Sequence, residues 1–196
     1  MCQQFGTEAG LKLYAEIGQR LLELLATVDA RNNVAVKKHL AQNILPAISC
    51  YQVLRGAGLE GTKAEAFTVS QMHERAQKAG KLFHRLSKIP GFYRIFQKSC
   101  TKAMQNNYPE AGWDMRWQKN DQTEIAFNCH RCVYWDVTTD LGCPELCPAF
   151  CANDDIVYGA LYPKVWFLRT KTLANGGDYC DFRLVNGKWA KQHLNK

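Results

Sequence analysis

Between residues 147 and 158 the side chains able to do covalent or proton-transfer chemistry come at helical intervals. Cys147, Cys151, Asp154 and Tyr158 are four, three and four residues apart, which on a helix puts all four on one face. A face built only to pack would not use a thiol, a carboxylate and a phenol. Pro148 sets a condition: if the helix begins there, Cys147 sits at its cap and points less surely along the stripe. Further on, Arg169 lies in an apolar, strand-like run, and Cys180 and Asp181 follow a glycine-rich turn. Alternation puts Cys180 on the inward face with Phe182, and Asp181 on the face of Arg183. A thiol, a carboxylate one turn on and an arginine on a facing strand offer a nucleophile, a proton carrier and an anion anchor, all on rigid elements.

The hydrophobic period supplies the scaffold. It is helical up to about residue 112 and alternating beyond. A first helix is expected over residues 8–27, with Leu11, Tyr14, Ile17, Leu21 and Leu25 inward and Thr7 as its cap. A second spans 32–55 through Val36, Leu40, Ile44, Ile48 and Tyr51, and Pro46 should kink or split it. Thr62 and Glu65 form a capping box that opens a third, which runs to Pro90-Gly91. A fourth, from Phe92 to about Met104, should bury Phe92, Phe96 and Cys100. Trp113, Met115 and Trp117 then alternate, Asn120-Asp121 offers a turn, and Ile125, Phe127 and Cys129 line the next strand, which continues toward Tyr134. A short helix from Pro144 or Pro148 to about Tyr158, a strand from Lys164 to Lys171, a hairpin turn at residues 175–178 and a strand from Tyr179 to Val185 complete the chain. The expected fold class is α+β: an N-terminal helical layer packed on a small C-terminal antiparallel sheet with one inserted short helix. Residues 1–58 read as a helical extension and 59–196 as the main domain, the two forming one compact unit. One pocket is expected between the layers, with Cys132, Cys151, Asp154 and Cys180 converging on it.

Composition narrows the classes of function. The 196 residues carry 25 Lys/Arg against 18 Asp/Glu. Residues 1–100 hold 14 against 7, and residues 101–196 hold 11 against 11, so the whole excess lies in the helical half. It is spread along helix faces without the clustering a nucleic-acid footprint needs, so no nucleic-acid partner is expected. No run approaches the roughly 20 apolar residues of a membrane span, and the N-terminus has no basic flank before an apolar stretch. A cytoplasmic protein with no membrane partner follows. Nine cysteines, an odd number, are then expected to stay reduced, and six of them fall between residues 129 and 180. Cys2, Cys50 and Cys100 read as packing thiols. Cys129, Cys132, Cys143, Cys147 and Cys151 could form a tetrahedral zinc site. Cys129 and Cys132, however, should point to opposite faces of an alternating strand, so no metal and no cofactor is expected.

Several fixed residue types recur in order through this half. They are Cys132-x-Tyr134, Gly142-Cys-Pro-Glu-Leu146, Phe150-Cys151-x-x-Asp154, and Arg169-Thr-x-Thr172 leading to Gly176-Gly-Asp178-x-Cys180-Asp181-Phe182. This pattern resembles the L-2-amino-thiazoline-4-carboxylic acid hydrolase-like family, closely over residues 129–185 and loosely from about residue 60. The ending is also similar to vinyl-reductase-type domains, which bind small ligands and metals. The resemblance implies opening of the aminothiazoline ring to N-carbamoyl-cysteine. On that implication Cys151, Asp154 and Cys180 are the catalytic candidates. Arg169, Cys132, Tyr134, Tyr158 and Asp181 are the substrate-binding candidates, and the partner is a small-molecule substrate, with a homo-oligomer left open. Two other readings stay open: a cyclase or isomerase on the same scaffold, and a ligand- or zinc-binding sensor.

Overall fold

Residues 5–194 are described by a computed structural model; Cys2 lies outside them. The chain is α+β, with its helices chiefly N-terminal and one antiparallel sheet in the second half. Helix α1 (Thr7–Thr27) begins after Gly6, whose φ of 82° starts the turn, so Thr7 is the first helical residue and not the cap. Its buried seam also differs from the expected one. Leu24 is buried and Leu13, Leu21 and Val28 pack with it, while Leu11 and Tyr14 stay 60% and 70% exposed. Apolar residues lie on more than one side of α1, and its packing against the helix at Leu45–Gly56 selects the seam.

Pro46 splits the second helical run. Helix α2 (Val34–His39) is capped by the Asn33 side chain and passes into a π-helical turn, Leu40–Ile44, before α3 (Leu45–Gly56). Proline has no N–H to offer the carbonyl four residues back, and π-turns form where the ladder is interrupted in this way. Helix α4 (Gly61–Leu86) starts at an N-cap of Glu60, with Thr62 Oγ bonded to the Glu60 carboxylate; the Thr62–Glu65 capping box does not form. Helix α5 (Phe92–Asn107) buries Tyr93, Cys100 and Met104, leaving Phe92 and Phe96 half-buried and stacked on each other.

Strands β1 (Trp113–Asn120), β2 (Glu124–Cys132), β3 (Val165–Leu168) and β4 (Cys180–Asn186) form an antiparallel sheet in the order β1-β2-β4-β3. Strand β2 ends at Cys132, where the chain turns directly into helix α6 (Val133–Asp140), so Tyr134 is helical and not a strand residue. A 3₁₀ turn (Pro144–Leu146) then leads into α7 (Cys147–Gly159), and two helices, not one, are inserted before β3. Residues 169–179 join β3 to β4 as a long connection with its own 3₁₀ turn, Leu173–Asn175, in place of a tight hairpin. Gly177 is required there, because a Cβ would stand 2.9 Å from the Thr172 carbonyl. Helix α8 (Gly187–His193) closes the fold.

One apolar core runs from Leu24 through Ile48, Leu54, Phe67 and Trp113 to Phe150 and Cys180, so residues on both sides of position 58 share it. Arg31 reinforces that union by pairing with Asp136 at 2.7 Å and bonding the Ala111 carbonyl. A second core, around Ile125, Phe127, Leu161 and Leu184, seats α5 against the sheet. Among the described residues no helix is long and apolar enough to cross a membrane.

Candidate active site

A cavity of about 500 Å³ lies where the π-turn, α3 and α4 meet α6, α7 and the inner face of the sheet. Its walls bring together Cys132, Cys151, Asp154 and Cys180, with Tyr134 and Tyr158 beside them. Three residues of the α7 stripe therefore face one space. Cys147 is buried behind that stripe against Cys151 and does not line the cavity.

The thiols divide by environment. Cys151 is held below the ordinary thiol range. The Cys147 thiol stabilises its anion by hydrogen bonding, and the Arg169 charge and the Thr172 hydroxyl act the same way, against burial and Asp154. Cys147 and Cys129 are pushed up, each chiefly by hydrogen bonding to a neighbouring thiol and then by burial, and burial takes Cys180 to about 11. A thiolate is the reactive form, so the activated thiol is Cys151 on α7, with Cys129, Cys147 and Cys180 shifted the opposite way around it.

Burial raises the carboxyl of Asp154 from 3.8 to about 7, against the opposing charge of Arg169 and with a further push from Asp155. Its side chain lines the cavity and is 37% open. Such a group is part acid and part base at neutral pH, the condition for general acid–base work.

Arg169 lies just past β3 and does not line the cavity. Its side chain is only 7% exposed. Its guanidinium bonds Asp155 at 2.6 Å, the Cys151 carbonyl at 3.1 Å and Asp154 at 3.4 Å, and rests 5.4 Å from the ring centres of Phe167 and Phe182. Asp181 is likewise occupied outside the cavity: its carboxylate accepts from the Thr170 and Lys171 N–H groups and the Thr170 hydroxyl. Burial raises its pKa, but these bonds outweigh that and hold the group below the usual range. Asp181 thus fixes the loop that delivers Arg169 to α7.

Cys129 and Cys132 face the same cavity, correcting the expectation of opposite faces. In the β1–β2 pairing Asp114 is opposite Arg131 and Met115 opposite Cys129, which leaves His130 as an extra residue. A bulge of this kind resets the alternation. The geometric argument against thiol-held zinc falls with it. Among the described residues no group of three or more His, Cys, Asp or Glu is arranged to hold a metal ion.

Sequence reasoning passed over His39 and Tyr108, which also wall the cavity. The His39 Nε2 lies 3.0 Å from the Asn107 carbonyl and must carry the proton, so Nδ1 accepts from the Tyr134 hydroxyl at 2.8 Å. Burial depresses the His39 pKa and keeps this tautomer neutral. Tyr134 is thereby fixed in place, with its phenol pushed well above 10 by burial. Burial also raises Tyr108 and Tyr158, and the negative charge of Asp154 adds to the effect on both. Three protonated phenols therefore cluster around one carboxyl. No local signal marked His39, whose partners lie 95 and 68 residues away. A second cavity of about 580 Å³ adjoins the first and shares His39, Asn43, Met104, Tyr108 and Tyr158 with it.

A family model for L-2-amino-thiazoline-4-carboxylic acid hydrolase matches residues 37–184, from the end of α2 to β4. No curated protein and no solved structure matches the chain.

Proposed function

The chain belongs to the L-2-amino-thiazoline-4-carboxylic acid hydrolase family, and from that premise we propose that it hydrolyses a small cyclic amidine of the aminothiazoline-carboxylate type. The observation that carries the reading is the pair on α7: a thiol held low at Cys151 and a carboxyl raised to about 7 at Asp154, one turn apart on one cavity wall.

The Cys151 thiolate attacks C2 of the ring. The C2–S bond then breaks, and the departing sulfur takes the proton of Asp154, leaving an isothiourea on Cys151. One thiolate replaces another, so the exchange is close to balanced in energy. Asp154, now ionised, takes a proton from water as that water attacks the same carbon. The C–Sγ bond breaks, Cys151 returns as thiolate, and the product is the N-carbamoyl thiol. Arg169 touches the Cys151 carbonyl, Asp154 and Asp155, and so steadies both reacting groups from behind the wall. Tyr108 and Tyr158, protonated and facing the cavity, are placed to donate to the amidine-derived nitrogen or oxygen as charge develops.

The test is turnover of 2-amino-thiazoline-4-carboxylate by purified protein, followed by product mass. Cys151→Ala is expected to remove kcat almost wholly, and a mass increment on Cys151 is expected in wild type quenched during turnover. Near-full turnover by Cys151→Ala would make water the nucleophile and Asp154 its sole activator.

A further inference from the structure

The cavity holds a guanidinium that this mechanism does not use. Thr68, Gln71, Met72, Arg75, Ala76 and Ala79 line it from α4 at spacings of one, three and four, a single helical stripe. Arg75 is exposed at this wall and takes part in no ion pair among the described residues. Its Nη1 donates to the Gln42 carbonyl at 2.9 Å. That carbonyl is available because the residue four positions later is Pro46, which has no N–H. The π-turn thus gives Arg75 a fixed backbone acceptor at one nitrogen, while among the described residues its other N–H donors have no partner and can meet a ligand. Arg169, by contrast, is divided among two carboxylates and a carbonyl.

The height of Arg75 along the cavity follows from helix packing. His73 meets the Ala149 carbonyl and His84 meets the Ala160 carbonyl, both across 76 residues. Gly80, which lies against the Ile156 carbonyl, keeps the same offset. A constant difference means that α4 and α7 run parallel and in register. Adding 76 to 75 gives 151, so Arg75 stands level with Cys151 on the neighbouring helix.

We infer that Arg75 forms a carboxylate-binding subsite, so that the cavity takes a small acid with its carboxylate against α4 and its reacting carbon toward Cys151. This rests on the hydrolytic reading only for the identity of the reacting ring. A guanidinium with free N–H donors grips a carboxylate through paired bonds, which fixes orientation as well as position. It also supplies the positive charge that an anion needs beside an Asp154 that is partly ionised at neutral pH.

The experiment is calorimetric titration of the full chain with thiazolidine-4-carboxylate, which lacks the amidine and cannot be ring-opened by this chemistry, and with its carboxamide. Wild type is expected to prefer the acid by roughly 10–100-fold, the effect of losing a charge-assisted pair. Arg75→Gln is expected to bind acid and amide alike, and Arg75→Lys to keep part of the preference. Unchanged acid binding in Arg75→Gln would overturn the subsite, as would loss of the preference in Arg169→Gln alone, or no acid binding by wild type. Turnover separates this inference from the hydrolytic reading. A wild type that opens no ring but shows the Arg75-dependent preference sinks hydrolysis and keeps the subsite. Turnover whose KM ignores Arg75→Gln does the reverse.

Discussion

At the level of one carboxyl, the role proposed for Asp154 in catalysis is tied to its effect on stability. Its pKa moves from 3.8 in the open chain to about 7 in the fold, so between those values the folded state binds the extra proton. Stability therefore falls as pH rises through that window, and the cost is absent below about pH 4. The full shift corresponds to ~4 kcal/mol. Because more than a third of the side chain is open, screening reduces this to roughly 1–2 kcal/mol. Asp154→Asn is expected to be more stable than wild type by that amount at pH 8 and equal to it at pH 4, measured by urea midpoints. It should also lower kcat by roughly 10²–10⁴-fold and remove the alkaline fall of the rate profile near pH 7. A variant less stable at pH 8 would mean that pairing with Arg169 outweighs the burial of the charge. Asp155, on the exposed side of the same arginine, leaves Arg169 partnered in the variant.

The α4–α7 contact decides the site at the level of elements. It sets Arg75 level with Cys151, and it depends on small residues where the helices approach closely. At Gly80 a Cβ would stand 3.1 Å from the Ile156 carbonyl and 3.3 Å from the Ala160 methyl. Alanine would gain helix propensity there but press on backbone. Valine adds two more methyls and has no room. Gly80→Val is expected to destabilise the fold by roughly 1–3 kcal/mol through overpacking. It should also lower kcat by more than its unfolded fraction explains, because α7 carries both Cys151 and Asp154 away from α4. Comparing kcat at a temperature where the variant is fully folded tests this. Wild-type kcat there would show that the site tolerates the shift.

Residues before position 58 act in the molecule as cavity wall as well as core. His39, Asn43, Pro46, Ala47 and Cys50 line the cavity that holds Cys151, while Leu24, Ile48 and Leu54 belong to the core that reaches Phe150. The Tyr51 hydroxyl bonds the Glu145 carboxylate and ties α3 to the turn that begins α7. A chain of residues 59–196 is therefore expected to lose cooperative unfolding and fixed side-chain packing, read by near-ultraviolet dichroism and thermal melts. A cooperative melt from that fragment would show that the first helices are an independent extension.

Local regularities were legible in the sequence: the stripe of Cys151, Asp154 and Tyr158, the change from helical to alternating period, the break at Pro46, and the ordered residue types of the family motif. The stripe and the period follow from backbone geometry, which repeats every 3.6 or 2 residues whatever lies opposite; the break follows from proline's missing N–H, and the motif is a resemblance. The tertiary structure alone decided what lies opposite. A single extra residue at His130 turned Cys129 and Cys132 to one face. Glu60 displaced the Thr62–Glu65 box, and contact with a neighbour chose the buried seam of α1. His39 entered the site through partners far along the chain, and Arg75 through an interhelical offset of 76 residues. The charges of Cys151 and Asp154 depend on desolvation and on groups from other elements. Register, offset and burial arise only when separate elements pack, so no window of sequence contains them.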